Sequence, residues 1–211
     1  MDWHIRGRAI AVDRPLVMAI VNVTPDSFSD GGRFFSSDAD VFDHVVGLLE
    51  SGADIVDVGG ESTRPGAVSV SVEDELRRVI PVITRLARER PQAIISIDTV
   101  KSAVAQAAIE AGAHIVNDVS GLRLDPGIAN VCANAGAGLV LTHSRGNNVS
   151  ELGTYAHASY GDVVSEVLAE LRKRVDSARH GGVADANIAV GPGIGFRKKA
   201  GHSLARAGRL A

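Results

Sequence analysis

Apolar runs of strand length recur along the chain at 16–23, 54–58, 93–98, 114–119, 138–143 and 187–191. They are nearly continuous in Val, Ile, Leu and Ala, as expected of strands covered on both faces. Between them, apolar residues return at intervals of three and four, as at Val41, Phe42, Val45, Val46 and Leu49, or at Val163, Val164, Val167, Leu168, Leu171 and Val175. That spacing predicts helices with one buried face. Ser71 with Asp74 reads as a capping box, and Asp125-Pro126 as an N-cap with proline at the first helical position. Gly52, Gly112, Gly136 and Gly181 fall where helices should stop. Residues 4–13 precede this rhythm and suit a hairpin that caps one end.

Strict alternation of strands and helices predicts a parallel sheet, either closed as a barrel or open and doubly wound. The polar positions favour the barrel. Asn22, Asp57 with Glu61 just beyond it, Asp98, Asn117-Asp118 and His143 stand at the ends of five successive runs. Any one of them alone would be explained as a cap or a turn former. Together they fit a barrel mouth, where side chains from many strand ends meet around a ligand. His143 by itself is better read as a hydrogen-bonded structural group. The donors are carboxylate and amide oxygens without His or Cys pairs at zinc spacing, so a bound metal should be magnesium. Two Gly-rich polar loops, 24–32 and 59–66, follow the first two runs; their hydroxyls and amides suit anions, and Phe28 suits a lid over a flat ligand.

With 211 residues, 45% of them hydrophobic, the chain can bury one core, and no linker divides it, so a single domain over 1–211 is expected. A net charge of -3 and a pI near 6.2 disfavour nucleic-acid and membrane-surface partners and leave a small molecule as the expected ligand. Cys132 is the sole cysteine, which excludes an internal disulfide and suits a small buried residue in a reducing compartment. Without a signal core or a membrane-length apolar run, the expectation is a soluble cytoplasmic protein. Asn148-Val149-Ser150 matches a glycosylation pattern only by chance, in a predicted loop.

Residues 18–32 (MAIVNVTPDSFSDGG) and 57–67 (DVGGESTRPGA) resemble the two signature stretches of dihydropteroate synthases. SIDT at 96–99, IVNDVS at 115–120 and PGIGF at 192–196 follow in that family's order, so the resemblance runs from about 15 to 198. It implies a (β/α)8 barrel of TIM type, here with about six βα units, that joins 6-hydroxymethyl-7,8-dihydropterin diphosphate to p-aminobenzoate, releasing diphosphate. It implies that Asp98, Asn117 and Thr63 bind the pterin, and that Asn22 holds Mg2+ and the diphosphate. Thr63, Arg64 and Pro65, with Ser27 and Phe28 of the first loop, would form the p-aminobenzoate pocket, and Asp57 would support the pterin end. Asn22, Asp57, Thr63 and Arg64 are then the candidate catalytic set, with Asp26 a weaker loop candidate. Sulfonamides would compete at such a pocket, and a homodimer is left open.

Two departures stand out. Gly191 occupies the sixth strand end, where the family carries an aspartate that contacts pterin, and six βα units precede Ala211 where the fold has eight. A C-terminally truncated barrel is therefore expected. Two alternative readings follow: a catalytically impaired pterin-binding homologue, and a related pterin-dependent methyltransferase.

Overall fold

The computed structural model describes residues 2–24, 38–64, 67–152, 159–194 and 196. An antiparallel hairpin, β1 (Asp2–Ile5) and β2 (Arg8–Ala11), comes first. Six parallel strands follow: β3 (Met18–Asn22), β4 (Ile55–Gly59), β5 (Ile94–Asp98), β6 (Ile115–Asp118), β7 (Gly138–Thr142) and β8 (Ile188–Gly191). The intervening helices are α1 (Asp38–Glu50), α2 (Val72–Glu89), α3 (Ser102–Ala111), α4 (Gly127–Ala135), the one-turn α5 (Val149–Leu152) and α6 (Val163–His180). Every predicted apolar run becomes a strand, with its ends moved by at most two residues.

The six strands are hydrogen-bonded in chain order, β3 to β8, which is the order of a TIM-type barrel. Among the described residues β3 and β8 do not pair with each other, so the barrel stands open between them. Ile20 on β3 and Val190 on β8 are 66% and 53% exposed at these two edges. Exposed branched apolar side chains on edge strands accompany that opening.

One face of the sheet packs on the helices. Val56, Val58, Ile95, Ile97, Val116, Leu139 and Leu141 meet Val45 of α1, Ile83 and Leu86 of α2, Ala108 of α3 and Ile128 of α4 in a single buried core. Cys132 lies in the same core, and burial pushes its thiol up to about 12, as suits a small structural residue. The other face is closed from below by the hairpin. Ile5 packs with Ile55 and Ile115, and Trp3, Met18 and Val140 surround them. Trp3 Nε1 donates to the Asn187 carbonyl at 3.0 Å, and Arg6 donates to the carbonyls of Ile109 and Ala113. These bonds tie the hairpin to the last turn of α3 and to the segments at the amino ends of the strands, leaving the carboxyl ends open.

The helix ends follow local chemistry with three differences. Ser71 Oγ accepts from the Asp74 amide at 3.1 Å and donates to the Asp74 carboxylate at 3.0 Å, so the reciprocal cap closes on the hydroxyl. Asp125 accepts from Gly127 N at 2.9 Å, but α4 begins at Gly127 rather than at Pro126, and the second Asp125 oxygen accepts from Ser102 N at 2.7 Å. One carboxylate thus caps both α4 and α3, a contact across the fold. Asn148 caps α5 through Glu151 N at 3.0 Å, so the predicted loop there is a helix start. No helix among the described residues is long and apolar enough to cross a membrane.

Candidate active site

In a parallel sheet, residues paired in register point to the same face. Asn22 pairs with Gly59, Gly59 with Asp98, and Asp98 with Asn117, which puts one row of side chains across four strands at their carboxyl ends. Asp57 lies one layer below, in register with Ile20 and Ser96. This is the face the hairpin closes from beneath, so the row forms the floor of a cup.

The cup is a cavity of about 260 Å³ lined by Asn22, Asp57, Thr63, Arg64, Asp98 and Asn117, together with Ile20, Glu61, Ser62, Val119, Thr142 and Phe196. Those six and Glu61, all singled out in the sequence, therefore share one hollow. Ser27, Phe28 and Pro65, like Asp26, lie outside the described residues. Asp118 and His143 turn the other way. Asp118 is fully buried and accepts from the amides of Ser120 and Leu122 at 2.8 and 2.5 Å, shaping the turn after β6. His143 is buried beside Glu170, its Nε2 2.9 Å from Oε2, which matches its structural reading. Both follow the alternation of a strand: the neighbour of an inward residue points outward.

Asn117 donates from Nδ2 to Asp57 Oδ2 at 2.8 Å. Asp57 is 2% exposed, and its other oxygen is buried without a hydrogen-bond partner among the described residues. Burial pushes the Asp57 carboxyl above the usual range, against the donation from Asn117. Asp98 is raised well above its ordinary value, first by burial and then by the carboxylates of Asp57, Glu75, Asp118 and Glu61. Asp57 and Asp98 thus have no ion pair among the described residues, a surplus of acceptors suited to a ligand rich in N–H donors. Asn117, having given one N–H to Asp57, offers its carbonyl oxygen and second N–H.

A Cβ built on Gly59 would lie 3.4 Å from Asn22 Oδ1 and 3.5 Å from Asp98 Cβ, in ordinary contact. The position has room for a side chain only by filling the cup. Gly59→Val is expected to change stability by less than about 1 kcal/mol, since valine suits a strand, and to abolish ligand binding in the cavity. A thermal melt beside a ligand titration checks this; a binding-competent variant would show that the cup is not the site.

Thr142, Val119 and Phe196 were not singled out in the sequence. Thr142 carries a signal only once the inward phase of β7 is known, because it precedes the more conspicuous His143. Phe196 reaches the cup through the segment after β8. At Gly191, in register with Thr142, no side chain projects from the β8 end, and a Cβ there would sit 3.1 Å from Thr142 Oγ1.

A sequence profile described as "Pterin binding enzyme" matches residues 18–211. The dihydropteroate synthase of Bacillus subtilis (strain 168) is 43% identical over 208 residues, covering 98% of this chain and 69% of that protein. The chain belongs to the dihydropteroate synthase family. Among solved structures, the dihydropteroate synthase of Xanthomonas albilineans with 4-aminobenzoic acid superposes with a TM-score of 0.87 at 42% identity, over 100% of this chain and 73% of that one. The Burkholderia cenocepacia dihydropteroate synthase complexed with 7,8-dihydropteroate superposes with a TM-score of 0.80 at 36% identity, over 94% of this chain and 65% of that one. The chain spans about two thirds of the length of the curated dihydropteroate synthases it matches.

Proposed function

We propose that this chain binds 6-hydroxymethyl-7,8-dihydropterin diphosphate and p-aminobenzoate and joins them to 7,8-dihydropteroate, a transferase step of folate biosynthesis. The observation that carries this reading is the convergence of Asp57, Asp98 and Asn117 in a cup with Thr63 and Arg64 also in its lining. The aminopyrimidinone edge of a pterin presents N–H donors, and the acceptor surplus of the cup answers them. Asp98 and the Asn117 carbonyl take that edge, with Thr63 beside it, while Asp57 orients the Asn117 amide. Arg64, exposed in the loop after β4, supplies positive charge toward the diphosphate or the carboxylate of p-aminobenzoate. The attacking aromatic amine is neutral at pH 7, so the reaction needs leaving-group stabilisation more than a general base.

Magnesium fits this arrangement in one way. No group of three His, Cys, Asp or Glu among the described residues could hold a metal by itself. The Asn22 side chain, in the cavity lining, offers a single hard oxygen, which suits an ion that keeps its waters and takes its other ligands from phosphate. Bound there, magnesium would offset the charge that grows on the departing diphosphate. A cytoplasmic setting, a homodimer and competition by sulfonamides accompany the reading by kinship.

The bare end of β8 favours one second reading, a homologue that binds pterin with impaired turnover. A single set of measurements separates the two: titration with each substrate, then a product assay with magnesium. Dihydropteroate formed in proportion to the chain is the expected result. Pterin binding without product supports the impaired homologue, and absence of both sinks the assignment.

A further inference from the structure

At the wall of the cup, reached through Glu61, lies a charged group to which the proposed reaction assigns no role. Lys101 Nζ is 2.7 Å from Glu61 Oε2 and also donates to Glu75 Oε2. The Lys101, Glu61 and Glu75 side chains are 19%, 6% and 0% exposed, and Glu75 Oε1 is buried without a hydrogen-bond partner among the described residues. Burying three charges costs several kcal/mol, and apolar residues of like size would join α2 to α3 at least as well. Stability alone therefore does not explain the group.

What the group holds is the loop after β4. The second Glu61 oxygen accepts from Val70 N at 2.7 Å and from Ser69 Oγ at 3.2 Å, which draws the two ends of the Glu61-to-Val70 segment together at a neck. Arg78 of α2 adds a bond to the Gly60 carbonyl at 2.7 Å. Thr63 and Arg64 ride on this segment. Lys101 follows Asp98 by three residues, and its own amide is held by Thr99 Oγ1 at 3.2 Å. A single ammonium thus connects the loop over the cup to the strand end that forms its floor.

We propose that Lys101 is a positioning residue: by holding Glu61 against the buried Glu75 it closes the neck of the loop and sets where Thr63 and Arg64 stand relative to Asp98. The proposal rests on the synthase reading only for the identity of the ligands. Without the ammonium, two carboxylates face each other in a poorly solvated space, and Glu61 is driven off Val70.

Hydrogen exchange of the whole chain, carrying Lys101→Met or Lys101→Arg, tests this. In Lys101→Met the Val70 amide is expected to exchange about tenfold faster while the β5 amides change less than about twofold; Lys101→Arg restores most of the protection. The Kd for p-aminobenzoate, measured with dihydropterin diphosphate present, rises about fivefold in Lys101→Met, and that for the pterin alone by less than about twofold. Should Lys101→Met not fold, Glu61→Ala must produce the same selective loosening. Unchanged exchange at Val70, or a rise shared by β5, overturns the proposal. An unaltered chain that binds neither ligand defeats the synthase reading, while the exchange data still decide the role of Lys101.

Discussion

Asp98→Asn is expected to melt about 3 °C higher than the unaltered chain at pH 8 and to bind dihydropterin diphosphate about a hundredfold more weakly. Both effects come from one cause. Burial, reinforced by the carboxylates of Asp57, Glu75, Asp118 and Glu61, raises the Asp98 carboxyl well above its ordinary value. A group raised on folding adds stability that is complete below its unfolded value, near 3.8, and is lost as the pH climbs through the higher folded value. Once the pH has passed that folded value the unaltered chain has lost the contribution, whereas an asparagine of the same shape never ionises. The melting advantage should therefore vanish near pH 4. Binding runs the opposite way, because donors on the ligand favour the carboxylate. Affinity for the pterin should rise with pH through the raised Asp98 value, and Asp98→Asn should flatten that dependence. Melts and titrations across pH 4–8 check both; a variant less stable than the parent at pH 8 would show that the carboxylate is already paired in the folded chain.

Gly112→Val should cost about 4 kcal/mol, enough to leave much of the chain unfolded at 37 °C. Gly112 ends α3 with φ +123, where L residues with side chains are strained, and a Cβ there would fall 2.5 Å from Ala87 Cβ of α2. Neither atom can move freely, since one belongs to a helix packed on the core and the other to the turn that leads into β6. Chemical denaturation gives the loss directly. A cost under about 1 kcal/mol would mean that the two helices separate easily, contrary to the tight packing between them.

Much of this fold was legible because its cause is local. Val, Ile and Leu runs covered on both sides read as parallel strands, and α1 and α6 follow from the spacing of Val45 with Leu49 and of Val167 with Leu171. Gly112 could be read as a helix stop, but its closeness to Ala87 could not, because that contact joins different helices. The candidate site was legible in part for a related reason. Asn22, Asp57, Asp98 and Asn117 interrupt apolar runs, where a polar residue is conspicuous. Thr142 is not conspicuous beside His143, and only the inward phase of β7 tells the two apart.

The order of elements, the parallel sheet and the polar strand ends were thus determined by the sequence alone, since they depend on alternation and spacing along one chain. Which polar groups share the cup, which become turn formers, and how Lys101 joins Glu61 to Glu75 were decided by strand register and helix packing. A shift of one residue in register would turn Asp57 and Asn117 away from the cavity, and nothing local forbids that shift. The core residues on the opposite face forbid it: Val56, Val58 and Val116 would have to leave their helix partners, and the polar groups of the cup would take their places in the apolar core.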